Sequence, residues 1–184
     1  MSEITELLST SAAGAKGSLD EVFNRLHGEL KILARSRIGA APDQTLTATS
    51  LVHEVYLKLI GAQHLDLVSK QHFFACAASA MRQILVDSAR AASARKRGGD
   101  LQFVTLTGAN LDEDGVDTNA DMLALDQVLQ ELERVEPGLM ELVQLRFFAG
   151  LSMDDIAQLT DRSERSLHRD WSCAKAFLGA RLAD

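Results

Sequence analysis

Hydrophobic residues along this chain recur at three- and four-residue steps, the repeat that gathers side chains on one face of an α-helix. Leu19, Val22, Phe23, Leu26, Leu30 and Leu33 make the first stripe, which fades near Gly39 and Pro42. A second stripe, Leu51, Val52, Val55, Tyr56 and Leu59, follows the hydroxyl-rich residues 45–50 and stops near Gly61. The third is long. It carries Phe73, Phe74, Ala77, Met81, Ile84 and Leu85, runs through residues 89–94 and finishes in Arg95, Lys96, Arg97, Gly98 and Gly99. Cations in a last turn followed by glycine are an ordinary helix ending.

Between about residues 100 and 120 the periodicity lapses, and Gly, Asp, Thr and Asn accumulate. The composition predicts an acidic linker with a short extended piece at residues 101–106. Helices resume with Met122, Leu125, Val128, Leu129 and Leu132, and Pro137 and Gly138 interrupt before residues 139–148. Ser152, with Asp155 three residues on, predicts a capping box for a short helix at residues 153–159. A tight turn follows at residues 160–162. Ser163 then caps a last helix whose inward stripe is Leu167, Trp171, Ala174 and Leu178. Alternation of the strand type is scarce. The expected fold class is all-α: two small helical domains, residues 1–97 and 122–184, joined by a linker at 98–121.

The first residues lack a basic segment followed by an apolar core, so no signal peptide is expected. No apolar run approaches the roughly 18 residues of a membrane span, and the expected location is cytoplasmic. Cys76 and Cys173 show no ligand-like spacing and read as buried thiols in a reducing compartment. No phosphate loop, nucleophile elbow or carboxylate pair points to an enzyme, and no cofactor is expected. His53-Glu54 resembles the start of a zinc-protease motif, but the second histidine would stand at position 57, where Leu57 is found; no metal is expected.

The net charge of −7 argues against a nucleic-acid partner until its distribution is considered. Residues 82–97 hold five cations, Arg82, Arg90, Arg95, Lys96 and Arg97, against the single acid Asp87. Asp112, Glu113, Asp114, Asp117, Asp121 and Asp126 follow with no cation among them. An acidic total therefore conceals a basic patch, the footprint to look for in a nucleic-acid binder.

A short helix, a tight turn and a second helix with outward polar positions is also the helix-turn-helix pattern. Its second helix would present Arg165, Ser166, His168, Arg169, Ser172 and Lys175. Arginine can donate two hydrogen bonds to guanine, while serine and lysine can hold phosphates. Spacing alone fits a helical hairpin with a charged solvent face equally well.

The residues themselves add a resemblance. Gly150-Leu151-Ser152-Met153-Asp154-Asp155-Ile156-Ala157-Gln158-Leu159, followed by Ser163-Glu164-Arg165-Ser166-Leu167-His168-Arg169-Asp170-Trp171, resembles region 4 of the extracytoplasmic-function (ECF) sigma factors. Residues 132–148, with Pro137 and Leu145-Arg146-Phe147, look like that region's opening helices. Asp161 departs from the pattern, since the family has glycine in the turn. Aspartate tolerates the left-handed backbone better than most residues.

The first half is similar to region 2 of the same family. Leu51-Val52-His53-Glu54-Val55-Tyr56-Leu57 resembles the helix that docks on the clamp coiled coil of bacterial RNA polymerase. The resemblance puts His53, Glu54 and Tyr56 at polymerase-contact positions, with the flap as a second polymerase contact. It also makes Arg82, Gln83, Asp87, Arg90, Arg95, Lys96 and Arg97 candidates for the −10 element of promoter DNA, and the loop with His64 and His72 a place where an unstacked base is captured. Arg165, His168 and Arg169 would then read the −35 element. The rival readings are a stand-alone helix-turn-helix regulator and an interaction protein that sequesters other factors.

One further departure is informative. Where the family carries acidic residues just before the docking helix, this chain has Thr47, Thr49 and Ser50. Each hydroxyl reads either as a helix cap or as a site at which a Ser/Thr kinase restores the lost charge. An anti-sigma factor is the other regulatory partner the family implies.

Overall fold

The computed structural model describes residues 16–38, 46–62, 69–95 and 119–182, and the regular structure among them is helical throughout. The first half comprises α1 (Lys16–Ile38), α2 (Ala48–Gly61) and α3 (Lys70–Arg95). The second comprises α4 (Asn119–Val135), α5 (Pro137–Val143), a π-helical turn (Gln144–Phe148), α6 (Met153–Thr160) and α7 (Glu164–Leu182). His64, Lys96, Arg97, the piece at 101–106 and all of the linker up to residue 118 lie outside the described residues.

The predicted stripes form the core of the first half. Val22, Leu26 and Leu30 of α1 meet Leu51, Val52 and Val55 of α2, and Phe73, Ala77 and Met81 of α3, all buried. Phe23 joins the layers: its ring centre lies 4.7 Å from that of Tyr56 and 6.5 Å, edge-on, from that of Phe73. Phe73 and Phe74 are both core residues.

α2 begins inside the hydroxyl-rich stretch. Thr47 is its N-cap, with an extended backbone and a side chain that accepts from the Ser50 amide, while the Ser50 hydroxyl accepts from the Thr47 amide. Two backbone donors that the first turn leaves without helical partners are thereby satisfied.

α4 starts at Asn119, three residues before Met122, and so reaches into the expected linker. Pro137 stands at the start of α5, where its missing N–H is no loss. The run predicted as one helix over residues 139–148 changes pitch midway. Its last turn is π-helical, with the Ala149 amide bonded to the Gln144 carbonyl at 3.0 Å. This wider turn places Leu145, Phe147 and Phe148 all in the core, and Gly150 leaves it at φ +66.

Leu167, Trp171, Ala174 and Leu178 are the buried stripe of α7, as the spacing predicts. Cys173 corrects the expectation of two buried thiols: it is exposed, and Cys76 is half-buried. Two residues past Trp171, position 173 lies about 200° around the helix and faces out.

The two halves abut. α3 packs along α4 and against the π turn, and the buried side chains of both halves form one continuous cluster. A Cβ built on Gly150 would stand 3.0 Å from the Leu33 side chain, so glycine there serves both its backbone angle and the approach of α1. Arg37 of α1 lies over the Phe147 ring, 4.4 Å from its centre. Its Nε is buried with no hydrogen-bond partner. Burial first, and then the charge of Arg146, push its pKa down to about 10.

Candidate nucleic-acid interface

Ser152 and Asp155 cap α6 reciprocally. The Ser152 hydroxyl accepts from the Asp155 amide at 3.0 Å, and an Asp155 carboxylate oxygen accepts from the Ser152 amide at 3.1 Å. Met153 and Ile156 turn inward. The helix stops at Asp161, which adopts the left-handed conformation (φ 53, ψ 38) and donates its N–H to the Ala157 carbonyl. Arg162 donates to the same carbonyl at 3.3 Å, and the Ser163 hydroxyl accepts from the Ser166 amide at 3.3 Å. Asp161, Arg162 and Ser163 alone connect the two helices.

The angle of α7 to this turn is held by an ion pair between Arg162 and Asp170, both substantially buried. Sequence reasoning missed this link. The partners stand eight residues apart across a turn, outside the i,i+3 and i,i+4 spacing by which helical pairs are recognised.

Arg165, His168, Arg169 and Ser172 are exposed together on the face of α7 opposite its core stripe. The Arg169 side chain is 75% exposed, its Nε 3.3 Å from an Asp170 oxygen. Ser172 donates to the His168 carbonyl at 3.0 Å, along the helix. Ser166 and Lys175 are half-buried on the flanks, the Lys175 ammonium 5.9 Å from the Trp171 ring centre.

The α3 candidates are placed differently. Gln83 and Asp87 are exposed; Gln83 accepts from the Lys58 ammonium at 2.7 Å. Arg90 is exposed and stands 3.7 Å from Asp87. Arg82 points into the seam between the halves, its side chain 14% exposed, and bonds Asp126 of α4. Arg95 ends α3. His72 is half-buried in the first turn of α3, where its amide donates to the Ser69 hydroxyl at 3.0 Å.

On α2, His53 and Glu54 are exposed side by side. Leu57, one turn on, shares their face and is 52% exposed, a large apolar side chain left to solvent beside two polar ones. From the sequence, Leu57 closes the stretch that resembles the docking helix but is not among its expected contact residues; an apolar residue just off the core stripe was the available signal. Tyr56 turns the other way. Its hydroxyl donates to Asp20 of α1 at 2.7 Å. That hydrogen bond, with burial and the Asp20 charge behind it, raises the phenol pKa.

Thr47 and Ser50 are tied to each other, their hydroxyls 3.0 Å apart. Thr49, between them, is exposed, and its hydroxyl bonds nothing among the described residues. The first turn of α2 carries no carboxylate. No described helix is long and apolar enough to cross a membrane.

A helix-turn-helix with an exposed cationic face, set beside a three-helix bundle, belongs to the DNA-binding proteins of transcription. The family of ECF sigma factors matches the chain over residues 1–184, and the chain belongs to that family. It is an RNA polymerase sigma factor, working with core polymerase and promoter DNA. No curated protein and no solved structure matches it.

Proposed function

We propose that this sigma factor meets its partners through three separate faces. The face of α7 with Arg165, His168, Arg169 and Ser172 reads the −35 element; α3, with Arg82 and Arg90, serves the −10 region; and α2 docks on the polymerase clamp through His53, Glu54 and Leu57. The observation that carries the first assignment is the joint exposure of those α7 side chains on a helix whose other face is core. A bidentate arginine in a major groove discriminates its base by about 1–3 kcal/mol. For the docking face the support is Leu57, whose exposure is relieved when a partner covers it. Tyr56, bonded to Asp20, contributes to the placement of α2.

Run-off transcription with purified core polymerase and genomic DNA fragments tests the whole reading. Wild-type protein should select a limited set of promoters, and Arg169→Ala should lose that selection by the same 1–3 kcal/mol, roughly 5- to 150-fold. Unchanged promoter choice by Arg169→Ala would remove α7 as the reader.

The finer part of the proposal is regulatory. With hydroxyls in place of carboxylates at the start of α2, the unmodified protein docks weakly, and a Ser/Thr kinase restores the charge. Of the three hydroxyls, Thr49 is best suited, since Thr47 and Ser50 are engaged in the cap. A phosphate there adds about −1.5 to −2 charges at a helix N-terminus, whose dipole favours it.

A further inference from the structure

α1, the start of α3 and the chain that runs from Ala149 into α6 border a cavity of about 440 Å3. Its floor is apolar: Leu33, Phe74 and Leu151 line it, and each is buried. Ile32 stands at its mouth, 68% exposed, the most exposed large apolar side chain among the described residues. The volume lies within the range of about 300–1,000 Å3 of small-molecule sites, which favour the junctions between domains.

Arg37 lines the same cavity. Its guanidinium lies on the Phe147 ring, and among the described residues no hydrogen bond or ion pair engages it. Burial, and then the charge of Arg146, work against its ionised form. A half-buried cation without an acceptor is costly, and an apolar stem would cover Phe147 as well. Residues kept against local stability cluster where a protein binds something. An anion that brings its own acceptors offsets the cost, since a guanidinium holds a carboxylate through two parallel bonds.

The other charges of the lining are engaged. Lys70 donates to Glu29, its ammonium 3.0 and 2.9 Å from the two carboxylate oxygens, and Asp155 accepts from Ser152 in the cap of α6. A single cation near two carboxylates suits a monoanion, because a dianion would meet Glu29 and Asp155 with the same sign. The floor suits an apolar body. We propose that this cavity is a binding site for a small organic carboxylic acid, with its carboxylate on Arg37 and its apolar body along Leu33, Phe74 and Leu151. The proposal does not depend on how α3 and α7 meet DNA.

The test uses the full-length protein with octanoate as the probe, read by isothermal titration calorimetry and thermal melts. Octanol keeps the apolar body without the charge, and inorganic phosphate keeps the charge without the body. Wild type is compared with Arg37→Met and with Arg35→Met, which removes an exposed cation outside the lining. Octanoate should saturate a single site on wild type. At roughly a hundred times its dissociation constant it should raise the melting midpoint by about 5–11 °C. Arg37→Met should bind it about 10- to 150-fold more weakly, the worth of a charge-assisted hydrogen bond. Arg35→Met should bind it like wild type, and octanol and phosphate should each bind wild type more weakly than octanoate does.

A wild type that shows no saturable octanoate binding overturns the site, and so does an Arg37→Met protein that binds as wild type does. Octanol or phosphate binding as tightly as octanoate overturns the ligand class. Without ligand, Arg37→Met should melt no lower than wild type, so its loss of binding is not a loss of fold. If it does melt lower, Ile32→Glu decides. That change sits at an exposed position and sets a carboxylate at the mouth, so it should weaken octanoate binding; an unchanged affinity overturns the site.

Discussion

Thr47 and Thr49 sit two residues apart in one exposed stretch, and the structure gives them opposite jobs. Thr47 caps α2, with its Oγ1 3.1 Å from the Ser50 amide and the reciprocal bond from its own amide to Ser50 at 2.8 Å. Replacing Thr47 with alanine removes the first bond outright and loosens the second. An N-cap of this kind is worth about 1 kcal/mol, so the midpoint of thermal unfolding should fall by about 2–4 °C for a chain of this size. Thr49 makes no such bond, and Thr49→Ala should leave the midpoint where it is. Thr49→Asp places a carboxylate in the first turn, where the helix dipole returns about 0.3–1 kcal/mol, and so should raise it slightly. Polymerase binding should follow a different order, with Thr49→Asp above wild type and Thr49→Ala indistinguishable from unmodified wild type. Thermal melts and pull-down with core polymerase separate the two. If Thr49→Ala proves as destabilising as Thr47→Ala, the cap has been assigned to the wrong residue. If Thr49→Asp docks no better than wild type, the charge-restoring switch does not operate at this position.

Substitutions at three further positions probe the frame around these faces. Asp161→Ala should cost about 1 kcal/mol, since alanine pays the left-handed penalty without aspartate's local hydrogen bonding, whereas Asp161→Gly should not destabilise; denaturant midpoints decide. Arg37→Met keeps an apolar stem against Phe147 and removes a buried donor with no partner. It should stabilise the protein by about 1 kcal/mol, seen as a higher denaturant midpoint. Tyr56 has a raised folded-state pKa. Its contribution to stability is therefore complete below the ordinary tyrosine value and lost as pH rises through the folded one, and Tyr56→Phe should show a shallower alkaline loss than wild type in pH-stepped melts.

Periodicity made the helices legible because each needed to bury only one stripe. Leu167, Trp171, Ala174 and Leu178 could be assigned to the core from their spacing, and their burial put Arg165, His168, Arg169 and Ser172 outside by geometry alone. Caps were legible for a similar reason: Ser152 and Asp155 act within one turn. What could not be read was whatever depends on two distant segments meeting. Arg82 had every sequence mark of a solvent-facing cation, yet it is turned inward by an acid 44 residues away. Arg162 and Asp170 found each other across a turn that no helical spacing describes. Tyr56 sits on the edge of the α2 stripe, and only the position of Asp20 on the neighbouring helix decides that its hydroxyl faces inward. The π turn was hidden as well, since nothing in Gln144–Phe148 distinguishes a widened pitch from a regular one until the core demands Leu145, Phe147 and Phe148 together.

The net charge of −7 and the function now fit one physical account. A protein that binds DNA through a few arginines would gain encounter rate from a positive total, and this chain gives that up. Asp126 shows what the acidic side achieves at one position. Apolar residues of matching volume would have joined α3 to α4 at least as stably, because the desolvation of a buried pair consumes most of its Coulombic gain. A carboxylate instead fixes how α3 lies on α4, since Arg82 reaches Oδ1 with both Nε and Nη2 in one relative placement of the two helices. Asp126 takes Arg82 out of solvent while Arg90 stays exposed, so the cationic patch of α3 is smaller in the fold than in the sequence. The α7 face, by contrast, remains open in the same structure. The α7 face thus presents its two arginines to solvent, whereas α3 presents Arg90 but not Arg82.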